Sequence, residues 1–199
     1  ASRFTANSGE VVDALPDAHA TEWLPETIHI ATFNTPTMWR TGAYVACARQ
    51  LREQGIALLG LQEARPVDSG TQTIMCGAAR YLVLTSAATT AGTHGCRLWV
   101  CVCSSWSKGA SPHRISQSCV FVLDSSPRFL LVRIKTHMVH VDVLVAHGPY
   151  QGDSNCVEEV FWADMTTKFN SRTASSPAVI LMVDANANLR STKTDRCQP

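Results

Sequence analysis

Apolar positions in this sequence fall into short runs, broken by polar stretches and by Gly or Pro, a rhythm that suits strands better than long helices. IHIATF (28–33) alternates Ile28, Ile30 and Thr32 with His29, Ala31 and Phe33, and predicts a strand that Asn34 ends. Met38, Val45, Ala48 and Leu51 recur at helical spacing over 38–54, and Gly55 stands where a helix needs a residue free to turn left-handed. IALLGL (56–61) is wholly apolar, as in a strand covered on both faces. QEARPVDSGTQ reads as a loop, YLVLTS (81–86) as a strand, and the Gly- and Thr-rich ATTAGTHG as irregular chain.

Beyond Arg97 the period is two throughout. RLWVCVC (97–103) and CVFVLD (119–124) predict strands, while FLLVRIK (129–135) and MVHVDVLVAH (138–147) predict a hairpin. In that hairpin Leu130, Val132 and Ile134 share one face, opposite Val139, Val141, Val143 and Val145. An amphipathic helix over 155–170 carries Val157, Val160, Phe161, Ala163 and Met165, and AVILMV (178–183) is the last strand. Strands and helices in this order predict a mixed α/β layer structure, not a doubly wound parallel sheet. Residues 1–27 have no sustained period and contain Pro16 and Pro25; they are expected to be a flexible extension before one domain over 28–199.

Composition narrows this picture without redirecting it. The 199 residues suffice for one substantial core, with 45% hydrophobic and 17% charged residues. A net charge of +1 is far from the strong basicity of a purely electrostatic nucleic-acid binder. No apolar run is long enough to span a membrane and ASRFTANSGE does not read as a signal peptide, so a soluble intracellular chain is expected. None of the eight cysteines forms a C-x-x-C pair, and several lie inside apolar runs, which predicts buried free thiols over disulfides or structural zinc.

The candidate chemistry stands at strand ends. Asn34 ends the first strand, Gln62 and Glu63 the second, His147 the long hairpin strand, and Asp184 with Asn186 the last. Singly, each is more often a turn or surface residue; as a set, they offer hard oxygen ligands for Mg²⁺ or Mn²⁺ and no thiolate. On an extended segment Asp184 and Asn186 would point the same way. A carboxylate orienting water, an amide holding a phosphate oxygen and a histidine near it suit metal-assisted phosphodiester hydrolysis. Arg128, Arg133 and Lys135 could meet a phosphate backbone, but a solvated strand face is the expected reading.

The ordered set of Asn34, Gln62-Glu63, His147-x-Pro149 and Asp184-x-Asn186, with VDVLVAHGPYQGD a helix away from VILMVDANANL, resembles the endonuclease/exonuclease/phosphatase family. That family includes DNase I, the abasic-site endonucleases and the endonuclease domains of non-long-terminal-repeat retrotransposons, and the resemblance covers about residues 28 to 189. It implies a four-layer DNase I-like sandwich of two mixed β-sheets with outer helices. It implies that Glu63 binds Mg²⁺ or Mn²⁺ with Asn34 beside it, that Asp184 activates or positions the attacking water, that Asn186 contacts the scissile phosphate and that His147 lies near it. The implied partner is nucleic acid, with DNA expected, and the implied location is the nucleus if the chain is of retroelement type. Family members end in a segment close to Ser-Asp-His, whereas here Asp195 is followed by Arg196. The domain is therefore expected to be incomplete at its C-terminus, lacking the last strands and the last catalytic pair. A truncated, catalytically silent remnant or binding module stands as the alternative to an active endonuclease, and a phosphomonoesterase on inositol phosphates or lipids as a further one.

Overall fold

A computed structural model of the chain describes residues 28–35, 42–102, 115–136, 140–150, 153–170 and 178–186. The expected extension over 1–27 and the Asp195-Arg196 segment lie outside them, as do Cys103, His137, Val139 and the first turn of the helix expected from 38.

The described residues form β1 (His29–Asn34), α1 (Ala43–Glu53), β2 (Ile56–Gln62), β3 (Gly70–Cys76), β4 (Ala79–Thr85), β5 (Arg97–Cys101), β6 (Val120–Ser126), β7 (Phe129–Lys135), β8 (His140–His147), α2 (Asn155–Asn170) and β9 (Ala178–Asp184). They build a five-stranded sheet in the order β1-β2-β5-β4-β3 and a four-stranded sheet in the order β6-β7-β8-β9. Each sheet is mixed: β1 runs parallel to β2, and β8 parallel to β9, while the other neighbours are antiparallel.

Period-two alternation sorts side chains between the layers. Leu58, Leu82, Leu98 and Val100 from the first sheet meet Leu130, Val132, Ile134, Val141, Val143, Val145 and Met182 from the second. The β7–β8 pairing sets Leu130 opposite Val145, Val132 opposite Val143 and Ile134 opposite Val141, the shared faces read from the sequence. Burying each such side chain contributes about 1.5–3 kcal/mol before chain entropy is counted. The other face of the first sheet presents Leu59, Leu61, Tyr81, Val83 and Trp99 to Ala48 and Leu51 of α1. Gly55 follows α1 with a φ of +64°, its N–H bonded to the Arg52 carbonyl at 3.1 Å, and so lets the chain turn directly into β2. The far face of the second sheet packs Phe129, Leu131, Leu144 and Ala146 against Phe161 of α2, with the rings of Phe129 and Phe161 stacked at 5.0 Å. Helix, sheet, sheet and helix give four layers, as expected.

Two elements differ from the sequence reading. Residues 70–72, expected as the end of a loop, and 73–76, which the sequence left unassigned, form β3, which pairs with β4 through a turn at Gly77. In addition, α2 seats itself through Phe161, Trp162 and Met165, leaving Val157 and Val160 41% and 62% exposed. Among the described residues Cys76 and Cys96 are buried free thiols, Cys101 is buried, Cys47 and Cys119 are half-buried and Cys156 is exposed. No described helix is long and apolar enough to cross a membrane.

Candidate active site

Parallel pairing of β1 with β2, and of β8 with β9, brings four strand ends together at one end of the sandwich, with Asn34, Gln62, His147 and Asp184 each last in its strand. Buried Gln62 joins the sheets there, its Nε2 donating to Thr32 Oγ1 and to the Met182 carbonyl, both at 2.8 Å. Asn34 Nδ2 donates to Asp184 Oδ2 at 2.6 Å across the same gap. The two sequence segments, 150 residues apart, meet directly.

Asn186 joins them by a route other than the one expected. An extended segment would carry it to the same side as Asp184, but Asn186 lies past β9 with a φ of +48°. Its backbone N–H donates to Asp184 Oδ1 at 3.1 Å, and its Nδ2 donates to the Gly148 carbonyl at 3.1 Å and lies 3.3 Å from His147 Nε2. The Asp side chain captures the amide two residues on, a turn that short polar side chains favour.

Glu63 and His147 complete the cluster. His147 Nε2 lies 3.1 Å from Glu63 Oε1 and 3.9 Å from Asp184 Oδ2. Its ring is fully buried, and burial lowers its pKa despite the opposing pull of Glu63 and Asp184. A neutral ring beside a carboxylate oxygen carries its proton on Nε2; Nδ1, which has no partner, is then bare.

Three residues of the site, Tyr150, His94 and Arg65, carried no signal in the sequence, and a fourth, Arg128, was expected on a solvated strand face. The Tyr150 hydroxyl donates to Glu63 Oε1, and burial, then that bond and the carboxylate charge, raise its pKa to about 12. The His94 ring lies 5.3 Å from His147 and 5.8 Å from Tyr150. Arg65 Nη2 approaches Glu63 Oε2 at 3.4 Å. Arg128 donates to the carbonyls of His147 and Gly148 at 3.3 and 2.9 Å, so it braces the site and is not part of a solvated strand face. Arg133 instead forms a two-pronged pair with buried Asp142 at 2.7 and 2.9 Å.

Backbone strain gathers at the same place. Among the described residues the non-glycine positions with positive φ are Glu63 (52°), Arg65 (45°), His94 (64°) and Asn186 (48°). Each costs on the order of 1–2 kcal/mol. They are held by pairing of their loops: Ala64 N–H to Gly95 O at 3.0 Å, Arg65 N–H to His94 O at 2.9 Å, and Gly95 N–H to Pro127 O at 2.7 Å. Strain of this kind persists where a fold over-determines the geometry of a site.

No protein-family model matches the sequence, and no curated protein matches it. The structure is similar to the endonuclease domain of TRAS1, a telomere-specific non-LTR retrotransposon, with a TM-score of 0.53 at 15% sequence identity over 81% of this chain. The chain has the DNase I-like fold. It spans 60% of the TRAS1 domain's length. In this DNase I-like frame the oxygen donors suit a hard cation: Asn34 Oδ1 is buried without a partner, and the Glu63 carboxylate stands at the same strand ends, already oriented by Tyr150, His147 and Arg65.

The loop that carries His94 also sets an acid limit on stability. Burial, then the charges of Arg128 and His147, hold the His94 pKa near about 4. A lowered histidine pKa favours the neutral folded form, so its contribution is complete above the unfolded value of about 6.5 and is lost as pH falls from there towards about 4. Thermal melts across that window should show a progressive loss of up to about 3 kcal/mol. His94→Asn, which tolerates the left-handed backbone, should flatten the profile; a variant as acid-sensitive as the parent would place the sensitivity elsewhere.

Proposed function

We propose that this chain is a metal-dependent phosphodiesterase acting on DNA, an endonuclease of retroelement type that works in the nucleus with Mg²⁺ or Mn²⁺. The observation that carries this reading is the direct meeting of Asn34, Glu63, His147, Asp184 and Asn186 at one end of the sandwich. It is supported by the likeness to the endonuclease domain of the TRAS1 retrotransposon.

Glu63, with Asn34 Oδ1 beside it, would hold the cation. Bound there, the cation would supply charge neutralisation at the phosphate and at the leaving oxygen. Asp184, with its side chain 24% exposed, positions a water and accepts its proton as the water oxygen attacks phosphorus. Asn186 Nδ2 donates to one phosphate oxygen and the Nε2–H of His147 turns from Glu63 Oε1 to donate to another, where negative charge grows as the P–O bond to the leaving group breaks. Burial keeps His147 neutral, so the ring donates a hydrogen bond without adding a charge that would hold the product.

Supercoiled plasmid should be nicked in Mg²⁺ and left intact in EDTA. Glu63→Gln keeps an acceptor for Tyr150 and His147 but removes the charge, so Mn²⁺ affinity by titration should fall at least tenfold with the melting temperature unchanged. Unaltered Mn²⁺ affinity would take Glu63 out of the metal site. Plasmid binding without nicking at any divalent cation would make the chain a binding module and overturn the hydrolytic reading.

A further inference from the structure

Arg97 opens β5 on the face of the first sheet that α1 covers, and it is only 5% exposed. Its guanidinium carbon lies 5.1 Å from the centre of the Tyr44 ring, which itself stacks on Trp99 at 5.6 Å. Tyr44 belongs to the first turn of α1, so the cation lies beside a side chain of that turn. Nε and Nη1 are buried without a hydrogen-bond partner, and among the described residues no carboxylate pairs with Arg97. A buried guanidinium with open donors is among the costliest groups a fold can hold.

The helix end beside it has the same lack. The residue capping α1, Gly42, has no side chain to accept the free N–H groups, and the first turn contains no acidic residue. A helix N-terminus carries about half a positive charge, so two positive groups lie on either side of the Tyr44 side chain, and among the described residues neither has an anion. Nothing in the phosphodiesterase chemistry above uses either of them.

We propose that Arg97 and the first turn of α1 form a second phosphate site, which takes a backbone phosphate of the nucleic-acid strand away from the bond being cut. The inference rests on the nuclease reading for its ligand, and on the open donors for its location. A tetrahedral phosphate diester offers oxygen acceptors to the planar fork of arginine and to helix N–H groups together. The register sets Arg97 opposite Leu61 on β2, two residues before Glu63, so the site lies at the same end of the sheet as the strand-end cluster and on the opposite face. A polyanion crossing that end could occupy both. Arg65, 36% exposed, adds a further cation at that end.

The test uses the whole chain in EDTA, so that no cleavage occurs and the carboxylates of Glu63 and Asp184 repel anions from the catalytic cluster. Inorganic phosphate at millimolar concentration should raise the melting temperature of the parent chain. Arg97→Met keeps the stacking and loses the cation; it should lose the response to phosphate while melting no lower than the parent without phosphate. Arg97→Lys should keep a reduced response. For a short duplex, the slope of log affinity against log salt should shrink by roughly 0.9 in Arg97→Met, the share of one phosphate contact. A parent chain indifferent to phosphate would overturn the proposal, as would Arg97→Met melting well below the parent in its absence, which would make Arg97 a structural residue. An Arg97-dependent affinity that appears only with a 5′-terminal phosphate would assign the site to a monoester and overturn the backbone assignment. A chain that binds with these properties and never nicks would sink the nuclease reading and leave the phosphate site standing.

Discussion

Asp184→Asn should slow plasmid nicking by roughly 10²–10⁴-fold, the range lost when a positioned proton acceptor is removed. The substitution is close to neutral for the fold. Asp184 is tied to its neighbours by Oδ1, which accepts the Asn186 N–H at 3.1 Å, and by Oδ2, which accepts Asn34 Nδ2 at 2.6 Å. An amide keeps the first bond, since its oxygen still accepts. The second can be kept only if the Asn34 amide turns over and offers its oxygen, and that oxygen is the one now open towards the cation. The variant should therefore melt within a few degrees of the parent and also bind Mn²⁺ more weakly. Single-turnover nicking with thermal melts separates the effects. A rate within tenfold of the parent, with the fold intact, would show that another group takes the proton.

Much of this site was legible because each of its residues stops a strand. Asn34, Gln62, His147 and Asp184 follow apolar runs whose period or continuity marks a sheet, and a polar side chain directly after such a run lies at the edge of a core. What could not be read is how loops fold back on those ends. His94 lies in a stretch whose composition says only that it is irregular, and it reaches His147 because the 63–66 and 93–96 loops pair by backbone bonds that carry no side-chain signature. Tyr150 is separated from His147 by Gly-Pro alone; a local bond from its N–H to the Asp153 carboxylate at 2.9 Å shapes the turn, and the contact of its hydroxyl with Glu63, 87 residues away, is tertiary. Asn186 reaches the cluster through a turn closed by Asp184, where alternation along an extended strand was expected.

The layer structure was legible for the same reason, and β3 shows where that ended. Thr71, Thr73 and Met75 alternate with Gln72, Ile74 and Cys76, but only Ile74 and Cys76 are buried, because β3 is an edge strand. An edge strand with polar residues on much of its length has the composition of a loop. The alternation is visible only once Tyr81 and its neighbours on β4 are known to pair with it.

Gly60→Val should lower stability by about 1–3 kcal/mol and nicking by up to roughly 10²-fold, a joint effect expected of few positions so far from the reacting atoms. Gly60 has an ordinary backbone conformation; what it lacks is room. A Cβ there would lie 2.5 Å from Met182 Sδ and 2.8 Å from Met182 Cβ, so moving the end of the methionine side chain alone cannot relieve the overlap. Strand β9 would have to move away from β2. Met182 precedes Asp184 by two residues, and its carbonyl takes the Gln62 bond that joins the sheets. A displacement that relieves the overlap therefore lengthens the Asn34–Asp184 contact, and a shift of about 1 Å in a reacting group is enough for the expected loss of rate. For a chain of this size the stability loss corresponds to a melting temperature lower by roughly 2–12 °C. Met182→Ala makes space at the cost of a cavity, about 2–5 kcal/mol alone. If Gly60 and Met182 clash as the geometry requires, the double variant is more stable than the sum of the single losses, by a coupling of about 0.5–3 kcal/mol. Strict additivity would show that the sheets do not meet there, and that Asp184 is held in place by something other than the close approach of β9 to β2.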